Sequence, residues 1–359
     1  MDLQGQNGLL STYRETWRSR GPIAYVLAAV ILAFYLVLYF TPIFDPVAKA
    51  MGLQNKWWLY GLLYTLAMAG GGAYYLRRHG NSRYNQYRIV TNIAVQAVLA
   101  FSIPFAMALF GQKDFFASYL WPLKIEYFYP DTILEFPVYL VLYSFFGSLL
   151  AFPVLAFLYG KRFYCSWICG CGGLANTFGD PWRHLSDKST PAWRFELIAV
   201  HGVMILAFGL TILVSLDAAM GTKLGLGAFT GELRSFYQFV VVSFLSGIIG
   251  VGVYPILGPR IWCRNFCPMA AMLGLIHKFG RFRIRVKPDM CISCGNCSTY
   301  CEMGIDVRAY AQTNQSFTRA SCVGCGMCAH MCPRGVLRLE NVVDNAEDKR
   351  RQGMRIADF

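Results

Sequence analysis

Six stretches of the chain stay apolar long enough to cross a bilayer, whose hydrocarbon core of about 30 Å takes roughly 20 helical residues. They fall at 22–41, 57–76, 89–110, 134–159, 195–216 and 236–257. The fourth contains Pro137 and Pro153, which predict a kink or tilt. The sixth is rich in Ser243, Ser246, Gly247, Gly250 and Gly252, small residues that let helices approach closely in lipid. Past Pro259 the pattern changes. Two short strand-like runs, Arg283–Val286 and Val336–Leu339, flank a cysteine-rich stretch, and 344–359 is polar without periodicity. The pattern predicts an all-α membrane bundle of about six transmembrane helices followed by a small α+β module. The expected divisions are an N-terminal segment 1–21, a transmembrane domain 22–280, a soluble domain 281–343 and a polar tail 344–359.

Composition agrees. Hydrophobic residues make up 55% of the 359 and charged ones 15%, against roughly 25% charged in soluble domains. A wholly soluble enzyme, a disordered chain and a nucleic-acid module are excluded. The net charge of +13 has a topological explanation. Arg14, Arg18 and Arg20, then Arg77, Arg78, Arg83 and Arg88, then Lys161, Arg162, Arg183, Lys188 and Arg194, then Arg260 and Arg264 all fall on one side of a six-span chain. The opposite loops mix both signs with aromatics. The excess of cytoplasmic Lys and Arg in membrane proteins then puts both termini and the cysteine-rich domain in the cytoplasm, in a multi-pass protein of a bacterial-type inner (plasma) membrane. No nucleic-acid partner is expected.

The thirteen cysteines begin at Cys165, and eight lie between Cys291 and Cys332. Cys291, Cys294, Cys297 and Cys301 are spaced CxxCxxCxxxC, and Cys322, Cys325, Cys328 and Cys332 repeat the spacing and end in Pro333. In two-cluster ferredoxins the fourth cysteine of such a run serves the other run's [4Fe–4S] cluster. The spacing therefore groups Cys291, Cys294, Cys297 and Cys332 around one cluster, and Cys322, Cys325, Cys328 and Cys301 around a second. Gly295, Gly324 and Gly326 suit the tight loops. Zinc favours four ligands as two pairs, and two runs of four overshoot that. Glu302 stands where a proline usually follows the fourth cysteine, and removes no ligand.

A second constellation repeats at a spacing of 98. Arg162-Phe163-Tyr164-Cys165 with Cys169 follows the fourth span, and Arg260-Ile261-Trp262-Cys263 with Cys267 follows the sixth. Two CxxxC pairs supply four thiolates, enough for a third Fe–S cluster beside the membrane. Redox-active dithiols, a soft-metal site or purely structural cysteines are the competing readings. Cys171 has no counterpart, Met269 standing at the matching position, and is a spare ligand or inert.

Paired CxxxC junctions after apolar helices, followed by a two-cluster module, resemble the membrane polyferredoxins typified by NapH, NosR and CcoG, over roughly 134–340. Two features depart from that pattern. Gly170 replaces the proline of the first CxxxCP, and neither a flavin domain nor a C-terminal β-sandwich is evident. The resemblance does not account for 1–110. It implies an inner-membrane electron-transfer protein with a bacterial 2[4Fe–4S] ferredoxin-like module, coupled to quinol oxidation and delivering electrons to a partner redox protein in a membrane complex. The expected function is thus a quinol-linked oxidoreductase component. The alternatives are a maturation factor reducing a metal ion or disulfide for a respiratory enzyme, and a wiring subunit of a larger complex. Weaker signals are His201 inside the fifth span, read as a structural histidine or a quinone contact rather than a haem ligand, Gly70–Gly72, read as a packing surface rather than cofactor access, and Glu126, Asp131 and Glu135, read as a solvated loop rather than acceptors of quinol protons.

Overall fold

A computed structural model describes residues 21–111, 115–220 and 227–342. The segment with Arg14, Arg18 and Arg20 and the tail from 344 lie outside the described residues. Six long helices carry the architecture: α1 (Pro22–Phe40), α2 (Lys56–His79), α3 (Arg83–Leu109), α4 (Val138–Tyr159), α5 (Thr190–Met220) and α6 (Gly227–Gly252). All but α2 are long and apolar enough to cross a membrane. At 24 residues α2 matches the expected second span in place, but tyrosines, Thr65 and four glycines dilute its apolar character.

Local chemistry explains where the helices depart from the apolar stretches. Pro137 separates α4 from a short helix, Pro130–Glu135, so the expected fourth span breaks near its start. Within α3 and α4 the ladder widens to π-type turns at Gln96–Ser102 and Gly147–Ala151, each just ahead of a proline, Pro104 and Pro153. Proline lacks the donor and crowds the carbonyl one turn back, and widening relieves that conflict. A similar widening over Gln238–Ile249 occupies much of α6. In the glycine run of α2, Gly70 faces open space and the other two are closely packed. A Cβ on Gly71 would strike the backbone of Phe178, and one on Gly72 would meet Ile89 and Ile93 of α3.

The two strand-like runs pair. β1 (Phe282–Val286) lies antiparallel to β2 (Leu337–Asn341), with Ile284 opposite Leu339. The sheet is tied to the helices where the Arg281 amide donates to the Phe157 carbonyl of α4 at 2.8 Å. One continuous apolar core contains Leu210 and Val214 of α5, Tyr164 and Trp262 from the junctions, and Phe282, Ile284 and Val336 of the C-terminal region. The cysteine-rich part is packed into the helical part.

Candidate functional site

The 98-residue repeat is structural. Helix α4 ends at Gly160 (φ 75°, ψ 167°), and at the matching place stands Gly258 (φ 90°, ψ 168°). Left-handed φ values of this kind favour glycine. Each turn leads into a short helix, Arg162–Cys165 or Ile261–Asn265, that buries its first cysteine. Each second cysteine is extended and starts another helix, Gly170–Asn176 or Pro268–Lys278. The four buried thiols Cys165, Cys169, Cys263 and Cys267 lie near enough to act on one another's ionisation. Burial pushes Cys165 up to about 12, against the opposing charges of Lys161 and Arg260. Cys169 goes the other way, lowered to about 7 first by a hydrogen bond from Cys171. The unpaired Cys171 is thus a donor to its neighbour's sulfur, a role its sequence position did not disclose.

The halves also reach across to one another. Arg260 points its Nη1 at the Cys165 carbonyl (3.4 Å) and at Cys263 Sγ (3.6 Å). Lys161 points its Nζ at the Ala270 carbonyl (3.5 Å). Both side chains are buried, so two cations bracket the four thiols.

The ferredoxin-type cysteines lie in two neighbouring groups. Cys291, Cys294, Cys297 and Cys332 line one cavity. The Cys322, Cys325 and Cys301 thiols influence one another, and Cys328 feels all three as well as Cys297 of the other set. Gly295 (φ 80°) and Gly326 (φ 77°) cap the short helices of the two runs in left-handed geometry. Backbone amides of Gly324, Ile305, Val336 and Ala270 point at the sulfurs of Cys322, Cys301, Cys332 and Cys267, each at 3.4 Å. Amides aimed at sulfur and thiols ringing a cavity fit a cysteine-held cluster. Among the described residues, no three His, Cys, Asp or Glu side chains are gathered for a single ion. A cubane binds each thiolate to a different iron and does not require them to converge on one point.

The junction and the ferredoxin-type runs meet directly. Ser166, next to Cys165, donates from Oγ to the carbonyl of Val323, next to Cys322, at 2.7 Å. Tyr84 of α3 donates to the Gly324 carbonyl at 2.8 Å. Beneath lies a buried charge network. Glu302, fully enclosed, takes Arg260 Nη2 at 2.8 Å and Arg183 Nη1 at 2.7 Å. Asn176 Oδ1 accepts from Arg88 (2.7 Å) and Arg260 (3.0 Å), and Arg183 pairs with Asp180 at 2.6 Å. Burial alone would raise the Glu302 carboxyl, but Arg183, Arg260 and Arg88 hold it below its ordinary value. The residue at the proline position is therefore the anchor of the seam. Sequence reading missed Ser166, Asn176 and Tyr84, which carry no motif, and counted Arg88 and Arg183 only as topology charges.

The weaker candidates resolve simply. His201 bonds through Nδ1 to the Leu197 carbonyl of its own helix (2.7 Å) and lines a small cavity with Cys263. Asp131 pairs with Arg234 at 2.8 Å in an exposed position.

Comparison with known proteins follows the same division. A 4Fe-4S dicluster domain model matches residues 283–333, and a 4Fe-4S binding domain model matches twice, at 141–188 and 239–287. The two matches start 98 positions apart, and their cysteines are those of the junctions. The chain is 27% identical over 165 residues to the "putative electron transport protein YccM" of Escherichia coli K12, covering 44% of this chain and 46% of that protein. It is 24% identical over 158 residues to the "methylamine utilization ferredoxin-type protein MauN" of Methylobacillus flagellatus (40% and 50%). To MauN of Paracoccus denitrificans it is 26% identical over 157 residues (40% and 49%). The chain spans about half the length of the curated relatives it matches. No solved structure matches.

Proposed function

For this chain, a polyferredoxin-like iron–sulfur electron-transfer protein with apolar helices, we propose a relay that carries electrons between the membrane quinone pool and a partner redox protein. The observation that carries the reading is the Ser166–Val323 hydrogen bond, which joins the neighbours of Cys165 and Cys322 at 2.7 Å. Cys165, Cys169, Cys263 and Cys267 would hold a cluster at the end of the helices. Cys322, Cys325, Cys328 and Cys301 would hold a second, and Cys291, Cys294, Cys297 and Cys332 a third. Bound at these places, [4Fe–4S] groups supply one-electron uptake and release. The chain orders the three places by depth: the four junction thiols are buried, whereas Cys294 at the far set is exposed. A partner docked there would meet the outermost place.

Lys161 and Arg260 offset the negative charge that four thiolates bring, and the amide-to-sulfur bonds do the same for individual ligands. A quinol releases two electrons and two protons. Clusters held at these places would accept the electrons one at a time, and the chain's own part would be to hold them in sequence. The excess of Lys and Arg in the loops on one side of the spans supports a relay on the cytoplasmic side.

A second reading has one observation in its favour. Cys169 is held near pKa 7 beside Cys171, which suits a thiol that reduces a metal ion or disulfide during maturation of a respiratory enzyme. One experiment separates the two. The full chain and its Cys165→Ser and Cys263→Ser variants are purified anaerobically, reduced, and mixed with a membrane quinone analogue. The relay predicts fast reoxidation in the parent and a drop of at least tenfold in both variants, with the ferredoxin-type clusters retained. Equal rates reject the relay. A quinone-inert parent that binds Cu(I) through the junction thiols supports the maturation role.

A further inference from the structure

A cavity of about 340 Å³ adjoins the junction, bounded by Tyr84 and Thr91 of α3, Tyr159 at the end of α4, and Arg162, Phe163, Trp167 and Ile168. That volume is in the range of small-molecule sites. Its position is unusual. Trp167 and Ile168 are two of the three residues between Cys165 and Cys169, so the cavity floor is the junction loop itself. Tyr84 and Thr91 are seven residues apart on one helix, which runs the wall along about 10 Å of α3.

The lining divides by chemistry. At one end Trp167 Nε1 donates weakly to Tyr84 Oη (3.4 Å), and Tyr84 itself reaches the Gly324 carbonyl beside Cys325. The Arg162 guanidinium sits 5.9 Å over the Tyr84 ring and 4.4 Å over Phe282. The remaining wall is aromatic and aliphatic: Phe163, Ile168 and Tyr159, the last 48% exposed at the rim. Aromatic walls with one guanidinium at one end suit a flat ring bearing carbonyl or hydroxyl oxygens. The exposed rim at the end of an apolar helix suits an attached apolar tail.

The geometry points to this cavity as the binding site for a quinone headgroup, with the Arg162 guanidinium at its polar end: Nε is held by the Tyr159 carbonyl (3.0 Å) and Nη2 by Asn341 Oδ1 (3.3 Å), and Nη1 has no hydrogen-bond partner among the described residues. The assignment rests on the quinone reading above, and adds where the ring sits and what recognises it. It also gives the N-terminal helices a purpose, since α3 supplies a wall that the repeated junctions lack.

The test uses the full chain in detergent with an azido-quinone photoprobe, the labelled residues being mapped by mass spectrometry. Labelling within 84–91 or 159–168 is expected, displaced by excess unlabelled quinone. Thr91→Phe, which fills the cavity from α3, is expected to cut that labelling at least tenfold while iron content and the spectrum of the chemically reduced protein stay unchanged. If Thr91→Phe fails to assemble, Tyr159→Ala at the rim serves instead, with labelling lowered in the same segments. Saturable labelling elsewhere overturns the cavity and leaves the quinone reading standing. Absence of saturable labelling anywhere overturns both. Displacement by phospholipid but not by quinone makes the cavity a lipid groove and overturns the assignment.

Discussion

Arg260 and Glu302 form a fully buried ion pair at 2.8 Å, between the residue that opens the second junction and the one that follows Cys301. Arg183 shares the carboxylate from its other side at 2.7 Å. Removing one partner of such a pair leaves uncompensated buried charge and costs about 3–5 kcal/mol. Glu302→Gln should therefore lower the thermal unfolding midpoint in detergent and speed proteolysis at the seam. Glu340→Gln, which breaks the exposed Arg285 pair of the sheet, should change stability by less than about 1 kcal/mol. Equal effects of the two substitutions would contradict the seam.

Cys171 hydrogen-bonds to Cys169 and is not needed as a fourth junction thiol. Cys171→Ala should keep the junction cluster while shifting its midpoint potential negative, because a donor to a ligating sulfur favours the reduced state. Cys169→Ala should lose the cluster. An EPR-monitored redox titration reads both outcomes.

The buried ammonium of Lys161 acts on Cys165 and on Cys322. Lys161→Met should move the potentials of both neighbouring clusters negative, on the order of 60 mV, a tenfold change for one electron. An unchanged titration would show that the charge is compensated elsewhere.

His277 is buried against Phe282, with neither ring nitrogen hydrogen-bonded among the described residues. Burial, aided by the charges of Lys161 and Arg162, pushes its pKa down to about 3. On unfolding the imidazole recovers its ordinary value near 6.5, so between these values the unfolded chain binds a proton that the folded chain does not. The contribution to stability is complete above about pH 6.5 and falls as pH falls through the window. His277→Phe should flatten the decline in unfolding midpoint between pH 6.5 and 5. A decline as steep as the parent's would place its cause in another group.

Much of this was legible in the residues because the constraints are local. Cysteine spacing grouped the two ferredoxin-type sets, the 98-residue repeat located the junctions, and apolar length located the helices. The buried network was not legible. Arg88, Arg183 and Arg260 are 172 positions apart at the extremes; in sequence the first two look like any arginine beside an apolar helix, and the repeat that marks Arg260 does not name its partners. Only folding brings them to Glu302 and Asn176. Glu302 stood out as a departure from proline, but a departure does not reveal its partner. The break of the fourth span at Pro137 shows the opposite case, a single residue whose backbone chemistry overrides an unbroken apolar run.

The most direct test of the relay is a count of clusters by iron and acid-labile sulfide analysis with Mössbauer spectroscopy on anaerobically purified protein. The parent is compared with a chain carrying both Cys165→Ser and Cys263→Ser. The account predicts three [4Fe–4S] clusters in the parent and two in the variant, the missing one coming from the junction. Two clusters in both proteins would contradict it, and would leave the junction cysteines to thiol or soft-metal chemistry.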